Sequence, residues 1–100
     1  MLLHGVTIPE REIADFCRRH RVARLSLFGS ILRDDFRPDS DVDILVEFEP
    51  STTVSLFDLG GMLMELRALL GRDVDLRTPG DLSTHFRQAV LREARPLYAA

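Results

Sequence analysis

Apolar and polar residues alternate in a way that predicts two strands at the centre of this chain. Residues 22–28 are rich in branched and apolar side chains, and residues 42–48 place apolar side chains at every second position. One face of the second segment carries Val42, Ile44, Val46 and Phe48, and the other carries Asp41, Asp43, Leu45 and Glu47. We expect the first face to pack against helices and the second to lie on the open side of a sheet.

Helical patterns flank these two strands. A first helix is predicted over residues 9–20, with acidic side chains near its start and arginines near its end. A second is predicted over residues 56–70, where Ser55 and Asp58 form a capping box and Gly71 ends the helix. Its expected apolar stripe is Leu56, Leu59, Leu63, Leu66 and Leu70.

Two glycines interrupt the second predicted helix. Gly60 and Gly61 each cost about 1 kcal/mol relative to alanine inside a helix. Close approach of a neighbouring backbone would explain them, and so would a kink.

The remaining elements are short. A helical turn is expected over residues 31–35, a third strand over 72–77, a last helix from 83 or 84 to about 94, and a final strand over 96–98. The predicted fold class is α/β, a small mixed sheet with helices on one face. Residues 1–100 are expected to form a single domain.

Composition limits the classes of function. The net charge of −3 argues against a general nucleic-acid binder, which usually needs a basic face. The single cysteine, Cys17, forms no internal disulfide and fits a reducing cytoplasm. No segment approaches the roughly 20 apolar residues of a membrane span, and the first residues do not have a signal-peptide pattern. We therefore expect a cytoplasmic protein without a membrane partner.

Candidate chemistry is concentrated between the two central strands. Asp41 and Asp43 point to the same face of a strand, and two such carboxylates repel one another unless a proton or cation intervenes. Gly29 allows a backbone to approach a phosphate closely, and Ser30 offers a hydroxyl and an N–H. Asp75, on the third strand, adds another carboxylate. Magnesium commonly joins such carboxylates to phosphates, so the pattern predicts a nucleoside triphosphate site.

This pattern resembles the signature of the DNA polymerase beta-like nucleotidyltransferase superfamily, which is Gly-Ser, ten residues, then Asp-x-Asp. The resemblance is carried by residues 28–30, by Arg33 and by residues 37–48, and it is strongest to the minimal nucleotidyltransferase branch. Residues 71–76 match the strand that supplies the branch with its third carboxylate. Ile31 and Asp34 depart from it, since the branch often has a basic residue and a glycine there.

The resemblance implies an enzyme with a nucleotidyltransferase fold that transfers AMP from ATP to a hydroxyl. Asp41, Asp43 and Asp75 would be catalytic and would hold two magnesium ions. Gly29 and Ser30 would hold the β- and γ-phosphates. Arg33 would either neutralise phosphate charge or lie on a helix surface without a role.

The resemblance also implies a partner. The branch is often the antitoxin half of HEPN/MNT toxin–antitoxin pairs, so the acceptor would be a tyrosine of a HEPN ribonuclease toxin. One alternative is an antitoxin with a vestigial site that neutralises its toxin by stoichiometric binding. Another is a small-molecule nucleotidyltransferase of the drug-modifying type, which the lack of an acceptor domain within these 100 residues disfavours.

Overall fold

A four-stranded sheet forms the centre of the protein in the computed structural model, which describes residues 1–100. The helices and strands are β1 (Leu2–Leu3), β2 (Val6–Thr7), α1 (Glu10–Arg19), β3 (Val22–Phe28), β4 (Val42–Phe48), α2 (Leu56–Leu70), β5 (Val74–Arg77), α3 (Thr84–Glu93) and β6 (Arg95–Ala99). Two 3₁₀ turns, Gly29–Leu32 and Pro79–Asp81, follow β3 and β5. The predicted α/β class is confirmed.

The strands are ordered β5-β4-β3-β6 across the sheet. β3 runs antiparallel to both β4 and β6, whereas β4 and β5 are parallel. A parallel pair requires a crossover connection, which α2 supplies here. The start of β5 therefore lies beside the start of β4, where the sequence places its candidate aspartates.

One face of the sheet packs against α1 and α2 and forms the main core. The buried helical side chains are Ile13, Phe16, Cys17, Met62, Leu66 and Leu70, and those of the sheet are Val22, Leu25, Leu27, Val42, Ile44, Val46 and Val74. The inward face predicted for β4 is thus confirmed, with Phe48 half-buried at its end. None of the helices is long and apolar enough to cross a bilayer.

The opposite face of the sheet is partly covered. Leu45 is completely buried there, and Ser26, its partner across β3 and β4, is 1% exposed, although neither belongs to the main core. The Pro79–Asp81 turn contacts β4, and α3 then carries the chain towards the opposite edge of the sheet without contributing to the main core. The expectation that Leu45 lies on an open face is therefore wrong, since its side chain has no exposed surface.

Both predicted ends of α2 are confirmed. Ser55 Oγ accepts a hydrogen bond from Asp58 N at 3.0 Å, and Asp58 Oδ2 accepts one from Ser55 N at 3.0 Å. Gly71 follows the helix with a φ of +65°, a left-handed conformation that suits glycine. Leu56 does not belong to the inward stripe, since it is 87% exposed. Leu56 lies six positions before the buried Met62, so the two side chains point about 120° apart around the helix.

Three short segments differ from the sequence predictions. Residues 2–7 form a hairpin whose two-residue loop, His4-Gly5, has positive φ at both positions, and this hairpin was not predicted. The helical turn spans Gly29–Leu32 rather than residues 31–35, and β5 begins at Val74 rather than at residue 72. Asp73 therefore lies outside the strand, where its Oδ1 accepts a hydrogen bond from Arg67 at 2.8 Å.

Candidate active site

The backbone turn at Gly29 and the side chain of Asp43 are in direct contact. β3 ends at Phe28, and Gly29 has a φ of +74°, which glycine adopts without strain. A Cβ atom at this position would lie 2.1 Å from Asp43 Oδ2, well inside van der Waals contact. Only glycine leaves room for this carboxylate, so the residue predicted to admit a phosphate also admits Asp43.

Asp43 and Asp75 are neighbours on adjacent parallel strands. The register pairs Asp43 with Asp75 on β5 and with Phe28 on β3. Adjacent strands are about 4.8 Å apart, so the two carboxylates project side by side from the face opposite the main core. Asp41 is exposed, comes directly before β4, and lies close enough for its charge to act on Asp43.

Negative charge is concentrated around Asp43. Burial raises the pKa of this carboxyl above its ordinary value, and the nearby carboxylate of Asp75 raises it further. The Ser30 backbone N–H acts in the opposite direction, Asp41 adds to the increase, and the Arg77 guanidinium opposes it. A bound cation would favour the ionised form of Asp43 by relieving this repulsion.

Arg77 belongs to the site, although the sequence did not identify it as a site residue. Its Nε donates to Asp75 Oδ1 at 3.1 Å and its Nη2 donates to Asp75 Oδ2 at 3.3 Å. These hydrogen bonds, together with the charge of Asp75, raise the pKa of Arg77. The i, i+2 spacing on β5 indicated that Asp75 and Arg77 share a face, but not that they form a bidentate ion pair.

Arg33 lies on the surface after the 3₁₀ turn. Its backbone is extended, and its Nε donates to Asp35 Oδ1 at 3.3 Å between two exposed side chains. The sequence left open a phosphate-binding role or a position on a helix surface. The residue is on the surface but not in a helix, because the turn ends at Leu32.

The three aspartates do not form a closed cluster, since Asp41 is exposed and Asp43 and Asp75 are half-buried. No set of three or more histidine, cysteine, aspartate or glutamate side chains is arranged to hold a metal ion. Both oxygens of Asp75 are bound by Arg77. Two surface clefts, of about 590 and 580 Å³, lie along α2 and include none of the three aspartates. A nucleotide at this site would therefore lie across one end of the sheet face rather than in an enclosed pocket.

The family model described as nucleotidyltransferase domain matches residues 10–98. The chain belongs to this family. The matched range runs from α1 into β6, so it includes the Gly29 turn, the three aspartates and Arg77. The prediction that the chain is a nucleotidyltransferase is confirmed.

Individual relatives narrow the family to a branch. The chain is 41% identical to the protein adenylyltransferase MntA of Thermococcus cleftensis, over 88% of this chain and 84% of the relative. A toxin–antitoxin structure with AMP-PNP is 26% identical over 92% of this chain and 74% of the other, with a TM-score of 0.73. A structure of tri-AMPylated Shewanella oneidensis HEPN toxin in complex with MNT antitoxin is 26% identical over 91% of this chain and 70% of the other, with a TM-score of 0.65. The predicted resemblance to minimal nucleotidyltransferases of toxin–antitoxin pairs is confirmed.

Proposed function

We propose that this chain transfers AMP from ATP to a tyrosine hydroxyl of a partner HEPN toxin and thereby acts as its antitoxin. The observation that carries the proposal is the contact between Asp43 and the Gly29 turn, with Asp75 beside Asp43 on the next strand. The relatives support it, since one is named a protein adenylyltransferase and another is bound to a tri-AMPylated HEPN toxin. The reaction would take place in the cytoplasm, where the free thiol of Cys17 stays reduced.

The donor chemistry of the site fits magnesium, although the three carboxylates are not gathered around one point and Arg77 binds both oxygens of Asp75. Asp41, Asp43 and Asp75 would hold two ions, because magnesium prefers carboxylate oxygens next to phosphates. The raised pKa of Asp43, caused by burial and by Asp75, reflects a surplus of negative charge that suits a cation. When bound, magnesium neutralises triphosphate charge and stabilises the entering and leaving oxygens of the displacement.

The other residues of the site bind and orient the reactants. Gly29 and Ser30 would hold the β- and γ-phosphates, Gly29 by close approach of its backbone and Ser30 through its hydroxyl, because the Ser30 N–H is directed at Asp43. The acceptor oxygen attacks the α-phosphorus and pyrophosphate leaves. Asp75 takes the proton of the acceptor hydroxyl. For this step Arg77 has to release at least one carboxylate oxygen of Asp75. Arg33 would neutralise phosphate charge, since an exposed ion pair holds it only weakly to Asp35.

The experiment is to incubate the chain with ATP, magnesium and the HEPN protein of the neighbouring gene, and to measure the intact mass of that protein. We expect its mass to rise by one or more AMP units. The variant Asp41→Asn/Asp43→Asn should abolish the increase. Asp75→Asn should reduce it strongly, whereas the matched control Asp73→Asn removes a carboxylate outside β5 and should leave it unchanged. An unmodified HEPN protein under these conditions would contradict the proposal.

Stoichiometric neutralisation is the second candidate function. The observation that favours it is the bidentate pair between Arg77 and Asp75, which occupies a carboxylate that the reaction needs. A catalytic antitoxin should lose protection against its toxin after Asp41→Asn/Asp43→Asn, even if the complex still forms. A stoichiometric antitoxin should protect equally well with both changes. Bacterial growth during toxin expression measures the difference.

A further inference from the structure

α2 exposes an apolar face to solvent. Three of the five large apolar residues that the chain exposes lie on this helix: Leu56 at 87%, Phe57 at 90% and Met64 at 62%. With Gly60, Gly61 and Ala68 they form what we call the α2 outer face. A contiguous apolar patch of this kind usually marks an interaction surface.

The two glycines of the outer face have no role in packing within the chain. A Cβ added at Gly60 or Gly61 would meet no heavy atom within 4 Å. Both positions are exposed, and both have helical neighbours on either side. Alanine would favour the helix at either position. Close approach of a second molecule would explain glycine at both positions, since no neighbour within the chain requires it.

The outer face is symmetric about its glycine pair. Phe57 precedes Gly60 by three residues, and Met64 follows Gly61 by three residues. At 3.6 residues per turn, these two large side chains lie about one turn on either side of the pair and on the same face. A two-fold axis through the glycines would set Phe57 of one copy against Met64 of the other. Such a self-complementary arrangement is what a two-fold symmetric interface requires.

The outer face is also separate from the candidate active site. The buried side chains of α2 belong to the same core as Val42, Ile44 and Val46, whereas Asp43 and Asp75 project from the other side of the sheet. An acceptor protein that reaches the aspartates has no need to contact α2. Two copies joined through α2 would leave both sites accessible.

The size of the face suits a weak specific dimer. Each copy would bury on the order of 600 Å², which is near the lower limit for specific association. The two surface clefts open onto this face, since one is lined by Met64 and Ala68 and the other by Phe57 and Gly61. We propose that the α2 outer face joins two copies of this chain in an antiparallel, two-fold symmetric dimer with a micromolar dissociation constant.

Sedimentation equilibrium from low micromolar to several hundred micromolar concentrations tests the proposal. We expect a monomer–dimer equilibrium that Phe57→Glu weakens by at least about 30-fold. The matched control is Phe86→Glu, because Phe86 is also exposed, at 61%, in the first turn of α3. Glutamate suits the first turn of either helix, so both variants should fold. A chain that stays monomeric throughout, or a Phe57→Glu variant that dimerises normally, would overturn the proposal.

A second pair of variants separates dimerisation from helix stability. Gly60→Ala and Gly61→Ala should weaken dimerisation, because each adds a methyl group at the crossing point. In the monomeric Phe57→Glu background, each should raise the melting temperature by roughly 5 °C, because the helix gains a better helix former. Unchanged dimerisation in the alanine variants would show that the two helices do not cross at Gly60 and Gly61.

The toxin is the other possible occupant, and its binding can be measured separately. In calorimetric titrations, the Phe57→Glu variant should bind the HEPN protein with the same affinity as the chain without the substitution. A loss of toxin binding in a chain that does not dimerise would assign the face to the toxin and overturn the proposal. Sedimentation and calorimetry do not depend on AMP transfer, so both remain informative if the proposed activity is absent.

Discussion

Replacing Gly29 with alanine should damage the candidate site far more than it damages the fold. The substitution has two physical costs. The first is left-handed backbone strain, since the φ of +74° costs a residue with a Cβ roughly 1–2 kcal/mol. The second is a collision, because the new Cβ would lie 2.1 Å from Asp43 Oδ2 and 3.0 Å from Asp43 Cγ.

The collision determines the effect on activity. Real Cβ contacts are essentially never shorter than 3.0 Å, so the Asp43 carboxylate has to move by about 1 Å. A displacement of about 1 Å in a catalytic group can cost about 100-fold in rate. We therefore expect AMP transfer by Gly29→Ala to fall by about 100-fold or more, with the free energy of unfolding reduced by roughly 2 kcal/mol or somewhat more.

Gly71→Ala is the matched control for backbone strain. Gly71 has a φ of +65°, but a Cβ there would meet nothing within 4 Å. It should lose roughly 1–2 kcal/mol of stability and keep its AMP transfer. Urea denaturation and intact-mass kinetics on both variants measure the two effects. A Gly29→Ala enzyme that transfers AMP as fast as the Gly71→Ala control would refute the reasoning. A smaller stability loss from Gly29→Ala in an Asp43→Ala background would identify the carboxylate as the colliding group.

Cys17, Ser55 and Arg77 give four further predictions. Burial raises the pKa of the Cys17 thiol to about 12, so a water-soluble disulfide reagent should label it only after unfolding. Because the unfolded thiol ionises near pH 9 and the folded thiol does not, the free energy of unfolding should fall as the pH rises from about 9 to 12, and a flat profile in urea titrations would contradict this. Ser55→Ala removes the acceptor of the Asp58 N–H and should cost about 1 kcal/mol in the same titrations. Arg77→Leu frees both oxygens of Asp75 and should tighten Mn²⁺ binding by about 3- to 10-fold in calorimetry, and unchanged affinity would mean that Arg77 does not compete with the metal.

The parts of the fold that follow local rules could be predicted from the sequence. The inward positions of β4 follow from alternation, and the ends of α2 follow from the capping box and from Gly71. Each of these features depends on residues that are close together in the chain. Gly29, Ser30, Asp41 and Asp43 were identified from the strand and turn pattern together with the family resemblance, and the structure brings Gly29 into contact with Asp43.

The features that the sequence did not reveal depend on contacts between distant segments. Leu45 is completely buried on a face that was expected to be open, and the alternation along β4 does not show what covers that face. Leu56 fits a leucine stripe by spacing, but the inward direction of α2 is set by the sheet, which selects Met62 instead. The strands of the N-terminal hairpin contain two residues each, too few for a periodic pattern, although the loop residues His4-Gly5 were a usable signal.

The alternating arrangement of β4 restricts how this protein can change during evolution. Adding or removing one residue within the strand would reverse the orientation of every side chain beyond that point. Asp43 and the core residue Ile44 could not both keep their environments after such a change. Length variation among descendants should therefore be excluded from residues 42–48 and tolerated in the connection at 49–55. Changes in nucleotide or acceptor preference should arise by substitution, on a strand whose length the core keeps constant.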